Sequence, residues 1–409
     1  MTIALRALVP PPFRLRSFRF QFAGDLLTSV AFEMETLILS WYILVQTGSV
    51  VMLTLFGSLQ FIGTLAAPAF GLAAERFGTR NLLSAMRASY ALVACAQMGF
   101  AASGALSAVT VIVLATLTGL VRPSDMTMRS LLIGETVGQE HMMSALSISR
   151  MTQDGARIAG AMAGAATFAL LGMVWAYVAV TLAYAAASAC ASRAAAPARR
   201  AAVARNTPLR DLRDGLAHVR TTPVLMAAML LAFLVNLLAY PLSGGLLAYI
   251  ARDVYGTGQA GLAQLSAAFA VGGLAGSFIL SFTGRAAHPA RTMLVGTLLW
   301  YVALAGFAHT TTPLAGAFLL AVTGFVQNMS MVPMSLLILR ASAERFRGRV
   351  MGVRMLCVYG LPVGLLVAGW LIAPLGFART GLIYCAIGIA TTLAIAARWR
   401  AELWQPARH

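Results

Sequence analysis

The chain contains no lysine; all 30 of its lysine-or-arginine positions are arginine. Acids are also scarce, 13 in 409 residues, with none between Asp253 and Glu344. Charged residues make up 11%, against roughly 25% in soluble domains, which excludes a pair of ordinary soluble domains. In a soluble protein the net charge of +17 would suggest nucleic acid. Here the arginines cluster in alternate loops, the pattern of the positive-inside rule, and no nucleic-acid partner is expected. The missing lysine is read as a bias of genome base composition. The four cysteines (Cys95, Cys190, Cys357, Cys385) lie scattered in apolar runs. Without a CxxC or a Cys/His pairing they exclude a disulfide framework or zinc site and read as small buried hydrophobes. The five histidines fall mostly in loops or at segment ends, and neither HExxH nor GxSxG occurs. No metal, cofactor or enzymatic activity is expected. A secretory signal is not visible either: Met1 to Phe20 is basic and proline-rich and has no apolar core.

What is abundant is apolar sequence, 59% of the chain, in runs of the roughly 20 residues that cross a bilayer. Twelve segments are expected, at 19–46, 51–74, 81–101, 106–133, 142–165 and 170–192, then 223–250, 259–282, 291–308, 313–339, 350–373 and 379–397. Connections on one side carry almost no charge, only Arg252, Asp253 and Arg379. The other side holds Arg14, Arg16, Arg19, Arg76, Arg80, Arg285, Arg291, Arg345, Arg347, Arg349, Arg398, Arg400 and a central arginine run. This places both termini in the cytoplasm and makes the helix count even.

The halves repeat. Thr118-Gly119-Leu120-Val121 with Ser130-Leu131-Leu132-Ile133 recurs as Thr323-Gly324-Phe325-Val326 with Ser335-Leu336-Leu337-Ile338, 205 residues later. Gly63, Leu65 and Ala66 recur as Gly272, Leu274 and Ala275, 209 residues later. The expected fold is an all-α membrane protein of twelve transmembrane helices in two pseudo-symmetric six-helix bundles, 1–192 and 223–409. A cytoplasmic linker, 193–222, joins them. Within it, Thr207 can cap a short helix that Pro208 starts and Pro223 stops. Leu209, Leu212, Leu216 and Val219 give that helix an apolar stripe, laid on the membrane surface or against the cytoplasmic ends. Duplicated membrane units of this kind are typical of secondary transporters, with a substrate site between the repeats.

The loop after segment 2 reads Gly71-Leu72-Ala73-Ala74-Glu75-Arg76-Phe77-Gly78-Thr79-Arg80. It resembles the signature loop of the major facilitator superfamily, with Glu75 where an aspartate is usual. The resemblance implies the major facilitator fold and a gating role for Gly71, Glu75, Arg76, Gly78 and Arg80. The glycines would permit a tight turn and close helix packing. Glu75 would reach Arg347 and Arg349 at the start of segment 11, closing the cytoplasmic side. The matching loop of the second half, from Gly284 to Pro289, lacks the acid. Three further stretches are similar to the drug-proton antiporter branch that contains the enterobactin exporter and macrolide efflux pumps: Trp41-Tyr42 with Thr47-Gly48-Ser49, Leu212-Arg213-Asp214-Gly215-Leu216, and Arg347-Gly348-Arg349-Val350-Met351-Gly352. That branch implies proton-driven export of amphipathic molecules from a bacterial inner membrane by a monomer. Its segment 5 motif normally carries a proline, and Gly160-Ala161-Met162-Ala163-Gly164 has none. This departure keeps the direction of transport open, but the small residues still allow close packing.

An ionisable group at bilayer depth costs about 2.5–3.5 kcal/mol on insertion scales and so asks for a reason. Asp25, Glu33, Glu35, Asp125 and Asp154 fall inside expected spans, all in the first half, and are candidate proton-coupling groups. Glu33 and Glu35 point roughly 200° apart on a helix, so only one can face a central cavity; Glu33 is placed ahead. Arg122, Asp125 and Arg129 share a face of segment 4 and can form a ladder, either neutralised within the helix or switching between helices. Arg150, Asp154 and Arg157 repeat the pattern on segment 5, with Arg157 a gating candidate. The resemblance makes segment 4 a cavity wall and favours function for Arg122 and Asp125. Candidate substrate contacts are Arg122, Met126, Asn236, Tyr240, Gln327, Asn328, Met331 and Tyr359. Against that stands the plainer role of amides as helix-helix glue and methionines as core. The expected partners are therefore a small amphipathic substrate, protons and the lipid bilayer. The sequence fits an exporter of a siderophore or hydrophobic drug, or alternatively an importer or lysophospholipid flippase on the same fold, and disfavours a membrane enzyme.

Overall fold

A computed structural model describes residues 11–137, 139–194, 208–283, 288–343 and 346–404. Among them every regular element is helical. The Thr207 cap, the stretch 195–207, the loop 284–287 with Arg285, and Arg345 lie outside the described residues, as does the side chain of Glu75 within its helix.

The first helix, α1 (Arg16–Thr47), is followed by α2 (Val50–Leu59), a 3-10 turn Ile62–Ala66 and α3 (Ala67–Phe77), which together make the second crossing. Helices α4 (Thr79–Ala102) and α5 (Ala108–Thr136) are single crossings. Ser107 caps α5, accepting the Thr110 N–H at 3.1 Å, the ordinary use of a serine at a helix start. The 55-residue α6 (Gln139–Arg193) is two crossings joined at Gly172, where φ is 78°. The linker helix α7 (Pro208–Thr221) leads into α8 (Pro223–Leu234), which continues to Val254 through the π-helical turns Val235–Ala239, Pro241–Gly245 and Ile250–Val254. Then come α9 (Gln259–Thr283), α10 (Pro289–Ala308), α11 (Pro313–Ala341), α12 (Arg347–Leu356) and α13 (Gly360–Arg398), with a short α14 (Arg400–Trp404) at the end. Helix α13 turns back on itself at Gly376, with φ 77°. Both turn glycines occupy the left-handed region, where a side chain is strained, and they lie 204 residues apart. Eight described helices are long and apolar enough to cross a membrane on that measure alone. Counting the crossings on each side of Gly172 and Gly376, and the interrupted second crossing, the described residues are consistent with twelve.

The chain divides into two compact units, one of residues 1–46 and 59–204, the other of residues 47–58 and 205–409. Each uses the same device. In the first, Gly63 lies against the Leu120 carbonyl and Gly119 against the Leu59 carbonyl. In the second, Gly272 lies against the Ala321 carbonyl and Gly324 against the Phe269 carbonyl. Both repeats that the sequence displays therefore mark backbone-to-backbone crossings of helices, as small residues permit in membranes.

The linker helix differs in part from expectation. Val219 is buried, and Leu212 packs on a core with Leu225, Val350 and Val353, but Leu216 is 37% exposed. The reason is Gly215, which lies against the backbone of Arg349 and turns the packed face away from Leu216.

Candidate functional site

In the first unit, α1, α4 and α5 bring four buried charges together. An Arg87 Nη2 donates to Asp25 Oδ1, and Arg87 Nε lies 3.7 Å from Asp125 Oδ1. Arg129 Nε donates to Asp125 Oδ2 at 2.5 Å and lies 3.7 Å from Asp25 Oδ1. Two carboxylates and two guanidiniums leave the cluster formally neutral, which limits the cost of burying it. Gly24 makes room: a Cβ there would meet Arg87 Nη1 at 2.5 Å. Gln21 Nε2 donates to the Arg129 carbonyl at 2.9 Å, and Arg129 Nη1 donates to Ser29 Oγ at 2.9 Å.

The expected ladder of Arg122, Asp125 and Arg129 is thereby corrected. Arg129 bonds Asp125, one turn away, but Arg122 Nη1 donates to Gln60 Oε1 at 2.8 Å and its guanidinium lies on the Phe32 ring. At i and i+7 on α5, Arg122 and Arg129 share a face but lie two turns apart, about 10.5 Å along the axis, so neighbouring helices supply them with different partners.

Glu33 and Glu35 do diverge. Glu35 is buried, and the Tyr184 hydroxyl donates to its Oε2 at 2.9 Å. Glu33 lies 3.7 Å from Arg157 Nε, with side-chain exposures of 24% and 40%. The close contact that gives Glu33 this neighbour comes from Gly160, packed on Val30 and Glu33, and Gly164, packed on Met34. The small-residue stretch of segment 5 thus seats on α1. Asp154 is buried in the same half of α6, and Met126 is 48% exposed.

In the second unit, Gln327 Nε2 donates to the Tyr240 hydroxyl at 2.7 Å, and Tyr240 meets Trp300 edge-on at 5.1 Å. Both are candidate contacts, and α8 and α11 bring them together. Tyr240 sits between two π-helical turns, a local widening that re-aims side chains. Asn328 Nδ2 instead donates to the Gly273 carbonyl at 2.5 Å and to Ser277 Oγ at 3.0 Å, and Asn236 Nδ2 to the Ala232 carbonyl at 2.8 Å. Asn328 thus ties α11 to α9, whereas the Asn236 bond closes within its own helix. Tyr359 ends a 3-10 turn before α13, and Met331 packs on the core beneath α8.

At the signature loop, Gly78 has φ 84° and donates its N–H to the Ala74 carbonyl at 2.8 Å, ending α3. The Thr79 hydroxyl donates to Glu135 Oε1 at 2.9 Å, tying the start of α4 to the end of α5. Arg80 donates to Asn81 Oδ1 at 3.1 Å, and Arg76 lies over the Phe77 ring. The expected close helix packing at Gly71 and Gly78 is corrected: no described atom lies within 4 Å of a Cβ built at either. The turn requires Gly78, while close approach belongs to Gly63 and Gly119. Arg349 Nη1 lies 3.4 Å from Asp214 Oδ2 on α7, and Arg347 is exposed.

Sequence reasoning missed Arg87, Tyr90 and Tyr184. Arg87 carries a signal in the sequence, being a charge well inside the apolar segment 81–101, but it has no acid within a helical turn of it to mark a pair. The tyrosines carried no signal until Glu35 had a direction.

Residues 22–361 match the family model for the Major Facilitator Superfamily. The chain belongs to this superfamily. It is a multi-pass membrane transporter by family, and its fold has many solved counterparts. The POT family transporter PepTSo superposes with a TM-score of 0.74 at 13% identity, covering 95% of this chain and 99% of its own. The D-xylose-proton symporter gives 0.72 at 12% identity, with 92% and 96% covered. The nucleoside transporter NupG gives 0.70 at 12% identity, with 94% and 100% covered. Identities this low speak for the fold alone. The chain has no significant sequence match among curated proteins.

Proposed function

We propose that this superfamily member is a proton-coupled exporter of an amphipathic small molecule, a siderophore or hydrophobic drug, working by alternating access as a monomer. Its membrane is the bacterial inner membrane, with both termini cytoplasmic. The observation that carries the proposal is the placement of charge. All six charged side chains that are buried among the described residues, Asp25, Glu35, Arg87, Asp125, Arg129 and Asp154, belong to the first unit. Four are balanced in one cluster. Glu35 stands apart from it, held by a neutral phenol, and is the proton carrier in this reading, with Asp25, Asp125 and Asp154 as supporting sites. Glu33 and Arg157 form a more exposed pair suited to breaking and remaking as the transporter cycles. The second unit offers neutral polar groups, Gln327 and Tyr240, beside Trp300, which suits an amphipathic cargo. Arg122, Met126, Asn236, Asn328, Met331 and Tyr359 complete the proposed substrate contacts. Glu75, Arg76, Arg80, Arg347 and Arg349 complete the gate.

Export follows from the antiporter-branch resemblance. The missing proline in 160–164 supports a second reading, an importer or lysophospholipid flippase on the same fold. Proteoliposomes with an imposed pH gradient decide both points. Ethidium, erythromycin and a labelled lysophosphatidylethanolamine serve as probes. Flux driven by the gradient, lost in Glu35→Gln, is expected. Gradient-independent movement of every probe would reject proton coupling, and the direction of the driven flux separates exporter from importer.

A further inference from the structure

The seam between α4 and the second half of α6 holds more hydroxyl and amide groups than packing requires. Tyr177, Thr181 and Tyr184 recur at i, i+4 and i+7 on α6, one face of the helix. Tyr90 and Gln97 recur at i and i+7 on α4. Tyr177, Tyr184 and Gln97 are at most 1% exposed and Tyr90 is 4%. The hydroxyls of Tyr90, Tyr177 and Thr181 and both amide atoms of Gln97 are buried with no hydrogen-bond partner among the described atoms. Such a group costs about 1–3 kcal/mol, and phenylalanine, valine or leucine would fill the same space without that cost. Packing therefore does not account for these residues.

Position does account for two of them, Tyr184 and Tyr90. Tyr184 donates to Glu35 at 2.9 Å. Tyr90 stacks obliquely on Tyr184, with ring centroids 5.4 Å apart. The Tyr90 phenol is in electrostatic reach of Asp125, Arg122 and Arg129 on α5 and Arg87 on its own helix. Asp125 Oδ1 is itself buried without a hydrogen-bond donor. Around Glu35 stand Tyr184 and Tyr177 from α6 and Arg122 from α5, with Glu33 on its own helix. Exchangeable protons thus sit at Tyr184, bonded to Glu35, and at Tyr90, three residues along α4 from the cluster's Arg87, all inside the first unit.

We propose that Tyr184 and Tyr90 relay protons between Asp125 and Glu35, an inference that rests on the proton-coupled reading above. In the uptake step Tyr184 gives its hydroxyl proton to the Glu35 carboxylate. It regains one from Tyr90 through one bridging water. Tyr90 in turn is reprotonated through a second water by Asp125, in the state in which Asp125 has taken up a proton from outside and the cluster is one charge positive. One proton moves from Asp125 to Glu35, both phenols end neutral, and Asp125 is left as a carboxylate facing Arg87 and Arg129. The reverse sequence returns the proton. Tyr177, which adjoins Glu35 but not the cluster, stands off the path.

The test uses full-length protein in proteoliposomes and needs no cargo. Rapid-scan infrared spectroscopy after photolysis of a caged proton follows the C=O stretch of protonated Glu35, identified by its absence in Glu35→Gln. Tyr90→Phe is expected to slow the rise of this band at least tenfold while leaving its pH midpoint unchanged. Asp125→Asn is expected to slow it similarly, and Tyr177→Phe to leave the rate as in the parent. A parent rate in Tyr90→Phe with the Glu35 band present overturns the relay alone. Equal slowing in Tyr177→Phe overturns it too, since any lost hydroxyl would then suffice. If no band depends on Glu35, the proton-coupled reading falls and takes the relay with it.

Discussion

The Tyr184 hydroxyl and the Glu35 carboxylate form a 2.9 Å hydrogen bond between α6 and α1, with both side chains buried. A glutamine at 35 still offers a carbonyl oxygen to that hydroxyl; an alanine leaves the hydroxyl unsatisfied, at a cost of about 1–3 kcal/mol. Glu35→Gln is therefore expected to melt close to the parent in detergent, with Glu35→Ala clearly lower. Lost flux in Glu35→Gln then reports on proton coupling rather than on folding. A large drop in melting temperature for Glu35→Gln would count against this use of the variant.

Arg87 is wholly buried and faces both Asp25 and Asp125. Removing one partner of a buried charge cluster typically costs about 3–5 kcal/mol. Arg87→Leu is expected to lower the melting temperature strongly, and Asp25→Asn combined with Arg87→Leu to recover part of it. No recovery in the double variant would mean that Asp25 and Arg87 are not energetically coupled.

The crossings at Gly119 and Gly324 are equivalent in the two units, and a Cβ at Gly119 would sit 2.5 Å from the Leu59 carbonyl oxygen. Overpacking of this kind costs about 1–3 kcal/mol. Gly119→Ala and Gly324→Ala are both expected to destabilise. Gly71→Ala, which meets no described atom, is expected to be neutral by the same thermal measurement.

Gln327 and Tyr240 bond each other in the second unit. If they touch cargo, Gln327→Leu raises the apparent KM for the transported probe with little change in Glu35 protonation. Unchanged KM with a lower melting temperature would assign the pair to packing instead.

Gly215 lies against the Arg349 backbone, beside the Asp214–Arg349 pair at 3.4 Å and the His218–Phe346 ring stack at 4.4 Å. Gly215→Val is expected to lift α7 from α12 and expose residues 208–221 to limited proteolysis. Asp214→Asn is expected to have little effect, because half-exposed ion pairs contribute at most about 1 kcal/mol.

The architecture was legible because membrane spans follow from local composition, and because Gly63, Gly119, Gly272 and Gly324 repeat for a backbone reason that any copy of the fold must satisfy. The candidate site was legible as an inventory of charges and illegible as a set of pairs. Helical angle told Glu33 from Glu35, yet which neighbour each would meet depended on where α6 lies, and nothing local encodes that. Arg122 illustrates the same limit: its spacing to Asp125 suggested an ion pair, while Gln60 and Phe32, about 60 and 90 positions away in sequence, decided its contacts.

Residues 47–58 belong to the body that the chain otherwise enters at Arg205. There Ser58 donates to the Pro362 carbonyl at 3.0 Å, and Thr54 fills the space beside Gly369. A gene severed at the linker would consequently yield a downstream fragment lacking one of its own walls. Grafting those twelve residues ahead of position 205 is what a self-sufficient C-terminal half would require.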